Sequence, residues 1–327
     1  MRRGLTRSTV AGMIVVVLSL VFIDGGRGTL AQSKDQTATL ASSGSPARPV
    51  IIPLTIRIKG AVAPSELELQ TVDLTVNEDG EPQTILSVRA MGTSSPINLI
   101  VLIQDDVVSS IGLEIKSLAD FIRQLPRSSR VSVGSLRTGS LQVRQKFTSD
   151  LEKAAKSLRG PIGVSSVAPY NPYVEVIEAL KRFDAQPAGR RAILLVSDGL
   201  DTSHGVDSSG PTQSLDLQRA INEAQRRGVA IYSFYAPTVT TATDGNLIPN
   251  AQSSLQRISD ETGGRAFFQG FGVPTSFDPF IKSLNSALDR QIALTYLSTH
   301  LNKGFHRVKI RSSSPGVEIS YPAGYNR

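Results

Sequence analysis

Apolar and polar positions divide this chain into a central region of alternating strand and helix patterns and two flanks with strand patterns alone. The central region opens with Ile97–Ile103, a nearly continuous apolar run that is typical of a strand buried on both faces. Between Ile111 and Leu125 the apolar residues recur at spacings of three and four, which predicts a helix. The same criteria predict further strands at 130–133, 141–143, 191–196, 229–234 and 265–268, and further helices at 150–158, 173–183, 215–227, 255–262 and 277–290. This alternation over residues 95–291 predicts an α/β domain with a doubly wound, mostly parallel sheet.

The two flanks, residues 50–94 and 292–327, have strand patterns without helical ones. In the first flank, residues 51–58 alternate partially, and residues 74–76 lead through a turn at Asp79-Gly80 into a return strand at 84–88. The second flank predicts strands at 293–297, 306–310 and 317–321. We expect the two flanks to pair into one small accessory β module.

The first 31 residues have the three parts of a secretory signal peptide: early arginines, an apolar run at Val10–Ile23, and Ala31 at the cleavage position. The alternative is an uncleaved membrane anchor, but the run has only 14 residues, whereas a spanning helix needs about 20. Residues 32–49 are rich in Ser, Ala, Gln and Gly and are predicted to form a flexible linker. The protein is therefore predicted to be exported, to the periplasm or the medium, with membrane contact only through an uncleaved signal segment.

Composition and charge exclude several classes of function. The chain has no cysteine, which excludes disulfides, thiol chemistry, cysteine-ligated metals and lipid attachment through cysteine. The formal net charge is +7, and the first 31 residues hold four arginines and one aspartate, so the rest of the chain carries +4. These basic residues are scattered rather than massed, which predicts solvated surface charge and no nucleic-acid partner.

Two predicted strand ends in the central region carry clustered polar residues. The first strand ends in Asp105-Asp106-Val107-Val108-Ser109-Ser110, and the strand at 191–196 ends in Ser197-Asp198-Gly199. Together with Leu74–Gln83 ("LTVNEDGEPQ") and the closing Pro322–Tyr325, these segments resemble the bacterial VWFA-related family, whose domains are of the von Willebrand factor A type. The resemblance covers roughly residues 50–327, and the order and spacing of the motifs are more specific than any one of them.

The resemblance implies a metal-ion-dependent adhesion site, in which an Asp-x-Ser-x-Ser loop, a Thr and a second Asp supply oxygens to a hard divalent cation. This chain departs from that pattern. In the register of Asp105 the serine positions hold Val107 and Ser109, and in the register of Asp106 they hold Val108 and Ser110. The expected Thr position holds Val167, beside Ser166, whereas Asp198 matches its motif. The sequence therefore predicts no cofactor, or at most weak Mg²⁺ or Ca²⁺ binding through Asp105, Ser109 and Asp198.

Ligands of doubly wound sheets bind at the carboxyl ends of the strands. The predicted binding face there comprises Asp105, Asp106, Ser109, Ser110, Ser166, Tyr170, Asp198 and Asp201. The alternative is that Asp198 and Asp201 cap a turn and that Ser109 or Ser110 caps the following helix. His204 follows Asp201 and could approach this face, but a solvated side chain is the favoured interpretation; His300 and His306 are predicted to lie on the surface.

The chain lacks a glycine-rich phosphate loop after its first buried strand and a Gly-x-Ser-x-Gly nucleophile elbow. The sequence therefore favours a non-catalytic, exported binding protein with a protein partner over an enzyme. Two alternatives stay open: a metal-dependent adhesion module with a rearranged site, and a hydrolase that uses the strand-end carboxylates.

Overall fold

Two β-sheets, one mixed and one antiparallel, form the framework of the protein. The computed structural model describes residues 47–58, 74–92, 94–187, 189–313 and 316–327. The predicted signal peptide and residues 32–46 of the predicted linker lie outside these ranges. Among the described helices, none has the length and apolar character needed to cross a membrane. The strands are β1 (Arg48–Ile58), β2 (Leu74–Glu78), β3 (Glu81–Ala90), β4 (Ile97–Gln104), β5 (Arg130–Arg137), β6 (Ser140–Thr148), β7 (Arg190–Ser197), β8 (Ala230–Tyr235), β9 (Ala266–Phe267), β10 (Gln291–Ser298), β11 (Phe305–Ser312), β12 (Val317–Ser320) and β13 (Gly324–Asn326).

The mixed sheet has the strand order β6-β5-β4-β7-β8-β9. All neighbouring pairs are parallel except β5 and β6, which form an antiparallel hairpin at one edge. Every residue of β4 and of β8 is buried, as expected for central strands that are covered on both faces. The predicted mostly parallel α/β sheet is therefore confirmed, with one antiparallel edge strand in addition.

Helices cover both faces of the mixed sheet. They are α1 (Ile115–Arg123), α2 (Leu151–Ser157), α3 (Pro172–Lys181), α4 (Leu215–Arg227), α5 (Val239–Thr243), α6 (Ile248–Glu261) and α7 (Asp278–Asp289). One hydrophobic core contains buried residues of α1, α2 and α7, and the other contains buried residues of α3, α4 and α6. Each face of the sheet thus has its own core, because β4, β7 and β8 direct alternate apolar side chains to opposite sides.

The structure differs from the predicted helices in three places. The helix predicted from Ile111 begins as a 3-10 helix, Ser109–Glu114, before α1. Helix α6 begins at Ile248, seven residues earlier than predicted, with a proline in its first turn where no backbone N–H is needed. Helix α5 is too short to show a helical period and is stabilised by a capping box between Thr238 and Thr241.

The antiparallel sheet has the strand order β12-β1-β10-β3-β2-β11-β13. Strand β10 lies between β1 and β3, and β11 pairs with β2, so one sheet contains strands from both chain flanks. This confirms the predicted pairing of the flanks.

Strand β1 begins at Arg48, within the predicted linker. In β11 the buried and exposed residues alternate, which places His306 in the interior; the prediction that His306 lies on the surface is wrong because its position shares the inward face with Val308 and Ile310.

Buried polar contacts join the two sheets. The Arg190 guanidinium, at the start of β7, donates to the Gln291 side chain (3.0 Å) and to the Leu288 carbonyl (2.8 Å). Gln291, the first residue of β10, donates in turn to the Tyr232 hydroxyl (2.9 Å). The antiparallel sheet is thereby attached at the amino ends of the parallel strands, and the carboxyl ends of those strands are left for the segments described next.

Candidate functional site at the carboxyl edge of the mixed sheet

The carboxyl ends of β4 and β7 lie side by side, because the two strands pair in parallel with Ile103 opposite Val196. The Gln104–Asp106 segment at the end of β4 is thus brought next to Ser197-Asp198 at the end of β7. We call this rim of the mixed sheet, with the segments that cover it, the carboxyl edge. It holds the two motifs on which the predicted binding face rests.

The Gln104 side chain occupies the centre of the carboxyl edge. Its amide nitrogen donates to Asp106 Oδ1 (2.9 Å) and to Asp198 Oδ1 (3.2 Å). Its amide oxygen accepts a hydrogen bond from the Ser197 hydroxyl. One amide group therefore lies between two buried carboxylates and donates to both, in the position that a cation bound by the two carboxylates would occupy. Sequence analysis missed Gln104; the available signal was a lone polar residue at the end of a buried apolar run.

The Asp198 carboxylate is enclosed by further donors. Its Oδ1 also accepts from the Leu200 backbone N–H (3.1 Å), and its Oδ2 accepts from the Thr238 hydroxyl (2.8 Å). Burial, followed by the nearby charge of Asp106, raises the pKa of Asp198 to about 7. Burial likewise raises the pKa of Asp106, against the opposing hydrogen bond from Gln104. Both carboxyl groups thus bind protons more readily than an exposed aspartate does.

Asp105 is held apart from that pair by an ion pair with Arg137. The Arg137 Nε lies 2.6 Å from Asp105 Oδ2, and the carboxylate is almost fully buried. The Asp105 carbonyl accepts from the backbone N–H groups of Ile162 (2.8 Å) and Gly163 (2.9 Å). Gly163 has a φ of +73°, and a Cβ at this position would lie 3.1 Å from Ser109, so the close approach of this loop favours glycine. The loop before α3 is thereby fixed over the end of β4.

Asp201 is satisfied by nearby hydroxyl groups. Its Oδ1 accepts from the backbone N–H (3.1 Å) and the hydroxyl (2.6 Å) of Ser203, and its Oδ2 accepts from the Ser214 hydroxyl (2.5 Å). Ser214 is also the N-cap of α4. The turn-capping role that the sequence offered for Asp198 and Asp201 is therefore present in the structure.

The capping role that the sequence offered for Ser109 and Ser110 is not present. Val108 is the residue that precedes the 3-10 helix, and no side chain caps that helix. Both serines are exposed, as are Ser166 and Tyr170 on the loop before α3. The eight residues of the predicted binding face are thus brought to one edge but divide into two sets, with four buried aspartates beneath four exposed side chains.

The exposed part of the carboxyl edge carries large apolar side chains among polar ones. Nine exposed apolar side chains, which we call the apolar rim, lie on the segments that cover or follow the strand ends: Leu113, Ile162, Val164, Tyr170, Val206, Val239, Phe268, Phe271 and Val273. Leu113 is 81 %, Phe271 68 % and Tyr170 62 % exposed. The four aspartates of the predicted binding face therefore lie below the surface, because internal donors hold their carboxylates inward.

His204 is exposed, and its Nδ1 lies 3.0 Å from the Ser203 hydroxyl oxygen. That hydroxyl donates its proton to Asp201 Oδ1. The order of these groups is therefore the reverse of an activated serine, in which the histidine accepts the hydroxyl proton and the carboxylate orients the histidine.

Comparison with known proteins finds no matching family model and no matching curated protein. Among solved structures, the chain is similar to an aerotolerance-related membrane protein from Bacteroides fragilis (16 % identity, 59 % of this chain and 98 % of that chain, TM-score 0.41). It is also similar to BatB from Bacteroides thetaiotaomicron (11 %, 59 % and 96 %, 0.37) and to a von Willebrand factor type A protein from Catenulispora acidiphila (10 %, 79 % and 75 %, 0.41). The last of these structures is of the von Willebrand factor A type that the motifs resemble. At these identities and TM-scores no argument about function rests on these similarities.

Proposed function

We propose that this protein is an exported, non-catalytic interaction protein that binds a protein partner through the apolar rim. The observation that carries the proposal is the distribution of exposed apolar side chains. Of the fifteen large hydrophobic side chains that are exposed among the described residues, nine belong to the apolar rim. A concentration of exposed apolar groups at one edge marks an interaction surface, whereas singly scattered ones need no explanation.

Binding at the carboxyl edge is proposed to need no divalent metal. A cation between Asp106 and Asp198 would have to displace the Gln104 amide, which already donates to both carboxylates. A hard cation also prefers about six oxygens, and the valines at 107 and 108 supply none. The N–H and O–H groups of the chain itself thus donate to the carboxylates, in place of the positive charge that a bound ion would supply.

The absence of catalysis is likewise part of the proposal. The three strand-end aspartates are almost fully buried, and each already accepts hydrogen bonds or an ion pair from the chain. A general base must reach the proton that it abstracts on a substrate, and these groups are enclosed. The serine that lies beside a histidine, Ser203, donates in the wrong direction for nucleophilic attack.

The proposal is tested by capture of partners from the envelope fraction of the producing organism on immobilised protein. Leu113→Lys and Tyr170→Lys place a charge on the apolar rim, where a desolvated contact would no longer form. Ile51→Lys is the matched control, because Ile51 is 65 % exposed but lies on the antiparallel sheet. We expect a discrete partner to be captured by the wild type and by Ile51→Lys, and to be lost with both rim variants, while all four proteins keep their circular dichroism spectra.

A partner that remains bound to both rim variants would contradict the apolar rim as the binding surface. The same capture in excess EDTA tests the metal. Unchanged capture supports binding without a cation, whereas capture that EDTA abolishes and Mg²⁺ restores would favour the metal-dependent adhesion alternative.

A further inference from the structure

The antiparallel sheet carries a second group of carboxylate and imidazole side chains, of which Glu78 and His306 are buried and Asp79 and His300 are partly exposed. Glu78 is the last residue of β2, Asp79 begins the turn to β3, His300 follows β10, and His306 lies on β11. We call these four residues the Glu78 cluster. Ligand atoms of Glu78, Asp79 and His306 lie within 4.8 Å of one another.

A two-residue turn directs the Asp79 carboxylate towards β11. Asp79 and Gly80 have φ angles of +51° and +95°, as in the Asp-Gly turns that join paired strands. The Asp79 N–H donates to the Arg307 carbonyl (2.9 Å), and Asp79 Oδ1 accepts from the Arg307 N–H (2.8 Å). Its second oxygen, Oδ2, lies 2.8 Å from His306 Nδ1.

The backbone fixes which nitrogen of His306 faces the carboxylates. His306 Nε2 lies 2.8 Å from the Asn302 carbonyl oxygen, which accepts only from a protonated nitrogen. In the neutral imidazole the lone pair is therefore on Nδ1, 2.8 Å from Asp79 Oδ2 and 3.6 Å from Glu78 Oε1. Three acceptor atoms that face one another require a positive charge between them, either a proton on Nδ1 or a metal ion. A histidine whose other N–H donates to a carbonyl is also the usual arrangement at a metal site.

Glu78 supplies an independent sign of a missing ligand. Its side chain is completely buried. The Tyr325 hydroxyl (2.8 Å) and the Ser298 hydroxyl (3.0 Å) both donate to Oε1, and the Tyr296 hydroxyl lies near the same carboxyl group, but Oε2 makes no hydrogen bond of normal geometry in the part of the chain that the structure describes. A buried carboxylate with an unsatisfied oxygen is costly unless a cation pairs with it.

His300 adds a fourth potential ligand. Its Nδ1 lies 3.9 Å from Glu78 Oε1 and has no hydrogen-bond partner among the described residues. Its ring centroid is 5.9 Å from that of His306. Two ligands of one tetrahedral zinc ion lie about 3.3 Å apart, given metal–ligand distances of about 2.0–2.1 Å. In the cluster, His306 Nδ1 lies 2.8 Å from Asp79 Oδ2 and 3.6 Å from Glu78 Oε1, and His300 Nδ1 lies 3.9 Å from Glu78 Oε1. These distances fall on either side of the zinc value.

We propose that the Glu78 cluster binds one divalent transition-metal ion of the zinc class, with His306 Nδ1, the Glu78 carboxylate and Asp79 Oδ2 as ligands and His300 Nδ1 as the fourth. Mixed imidazole and carboxylate ligands suit zinc better than Mg²⁺ or Ca²⁺, which prefer oxygen alone. The ion joins the two chain flanks, because Glu78 and Asp79 precede the mixed sheet in sequence and both histidines follow it. Its role is structural, at a site separate from the apolar rim.

The full exported chain, stripped with a chelator and then dialysed, tests this proposal in a Zn²⁺ titration near pH 7 that uses a chromophoric chelator as competitor. We expect one equivalent to bind at micromolar concentration or below, and excess Zn²⁺ to raise the melting temperature. Glu78→Gln and His306→Asn should each weaken binding by about 100-fold or more, since each removes a ligand. His204→Asn, the third histidine of the chain, is the control and should bind as the wild type does.

Because Glu78→Gln or His306→Asn could also disturb the sheet, the wild type provides a second measurement. Long-range ¹H–¹⁵N NMR spectra should show His306 Nδ1 as a metal-bound nitrogen in the presence of Zn²⁺ and Nε2 as protonated. A His306 ring that stays doubly protonated in excess Zn²⁺ would overturn the proposal and show that a proton fills the space. Equal Zn²⁺ affinity of wild type, Glu78→Gln and His306→Asn would overturn it as well. Neither result depends on partner capture at the apolar rim.

Discussion

The carboxyl edge and the Glu78 cluster both bury carboxylates, but they differ in what surrounds them. At the carboxyl edge, Asp106 and Asp198 share the Gln104 amide, and Thr238 donates to the remaining oxygen of Asp198. In the Glu78 cluster, Glu78 Oε2 has no partner among the described residues and a histidine nitrogen faces a second carboxylate. The first site supplies its own donors, whereas the second leaves one carboxylate oxygen of Glu78 without a donor.

The comparison shows that a motif alone does not locate a cation site. The family resemblance drew attention to the strand ends, where aspartates stand in a familiar order. The hydrogen-bond partners in the folded structure point instead to a cation site at the turn after β2, beside Glu78. Buried polar groups are nearly always satisfied, so the group that is not satisfied is the more informative one.

The largest expected effect comes from removing the donor at the carboxyl edge. Gln104→Leu keeps roughly the volume of the side chain but leaves Asp106 and Asp198 facing each other without the shared amide. We expect the free energy of unfolding in urea near pH 7 to fall by about 4 kcal/mol, since breaking a buried polar network by removing one member costs about 3–5 kcal/mol.

Gln142→Leu serves as the control for Gln104→Leu, because Gln142 is exposed on β6 and its side-chain amide donates to the exposed Ser140 hydroxyl. It should change the unfolding free energy by less than about 0.5 kcal/mol. Equal stability of the two variants would show that Gln104 does not hold the carboxylates together.

A third buried carboxylate, Glu175 on α3, tests the cost of burying such a group away from water. Burial raises the pKa of Glu175 to about 8, against the opposing effect of the backbone groups of Gly139, Ser140 and Arg137. The folded state therefore binds a proton that the unfolded state releases at lower pH, so stability is lost as pH rises between about 4.5 and about 8. Between about pH 5.5 and pH 8 the wild type should lose about 3 kcal/mol more than Glu175→Gln.

The contribution of Asp198, whose pKa is raised to about 7, has the same sign but is common to both proteins and cancels in this difference. Glu152→Gln, on α2 and 50 % exposed, is the control and should follow the wild type. Parallel pH profiles of wild type and Glu175→Gln, measured by urea unfolding, would contradict the assignment.

The smallest expected effect concerns divalent ions at the carboxyl edge. Because Gln104 occupies the space between the carboxylates, Mg²⁺ and Ca²⁺ should bind there with at best millimolar affinity, about −4 kcal/mol. Gln104→Ala opens this space and should bind Mg²⁺ about tenfold more tightly, a change of about 1.4 kcal/mol. Calorimetry in a His306→Asn background keeps the Glu78 cluster out of the measurement. A tight Mg²⁺ site that is already present with Gln104 intact, and lost with Asp198→Asn, would contradict the prediction.

Much of the fold could be predicted because its signals are local. The buried run of β4 and the bounds of α4, from its Ser214 cap to the left-handed Gly228, follow from neighbouring residues alone. The start of α6 and the short helix α5 were missed because their stabilising features, a first-turn proline and a capping box, are not periodic. The sequence predicted where the candidate site lies, but it did not predict which of its residues are buried and which are exposed.

The sequence by itself determined the alternation of strands and helices, the absence of cysteine chemistry and the edge at which polar residues gather, because each depends on residues close together in the chain. Tertiary structure alone decided which donor meets which carboxylate. Gln104 and Asp198 are 94 positions apart, and Asp79 and His306 are 227 positions apart. A hydrogen bond tolerates changes of only a few tenths of an ångström in the distance between donor and acceptor, and it depends on their direction. Strand pairing sets both the distance and the direction only after the chain has folded.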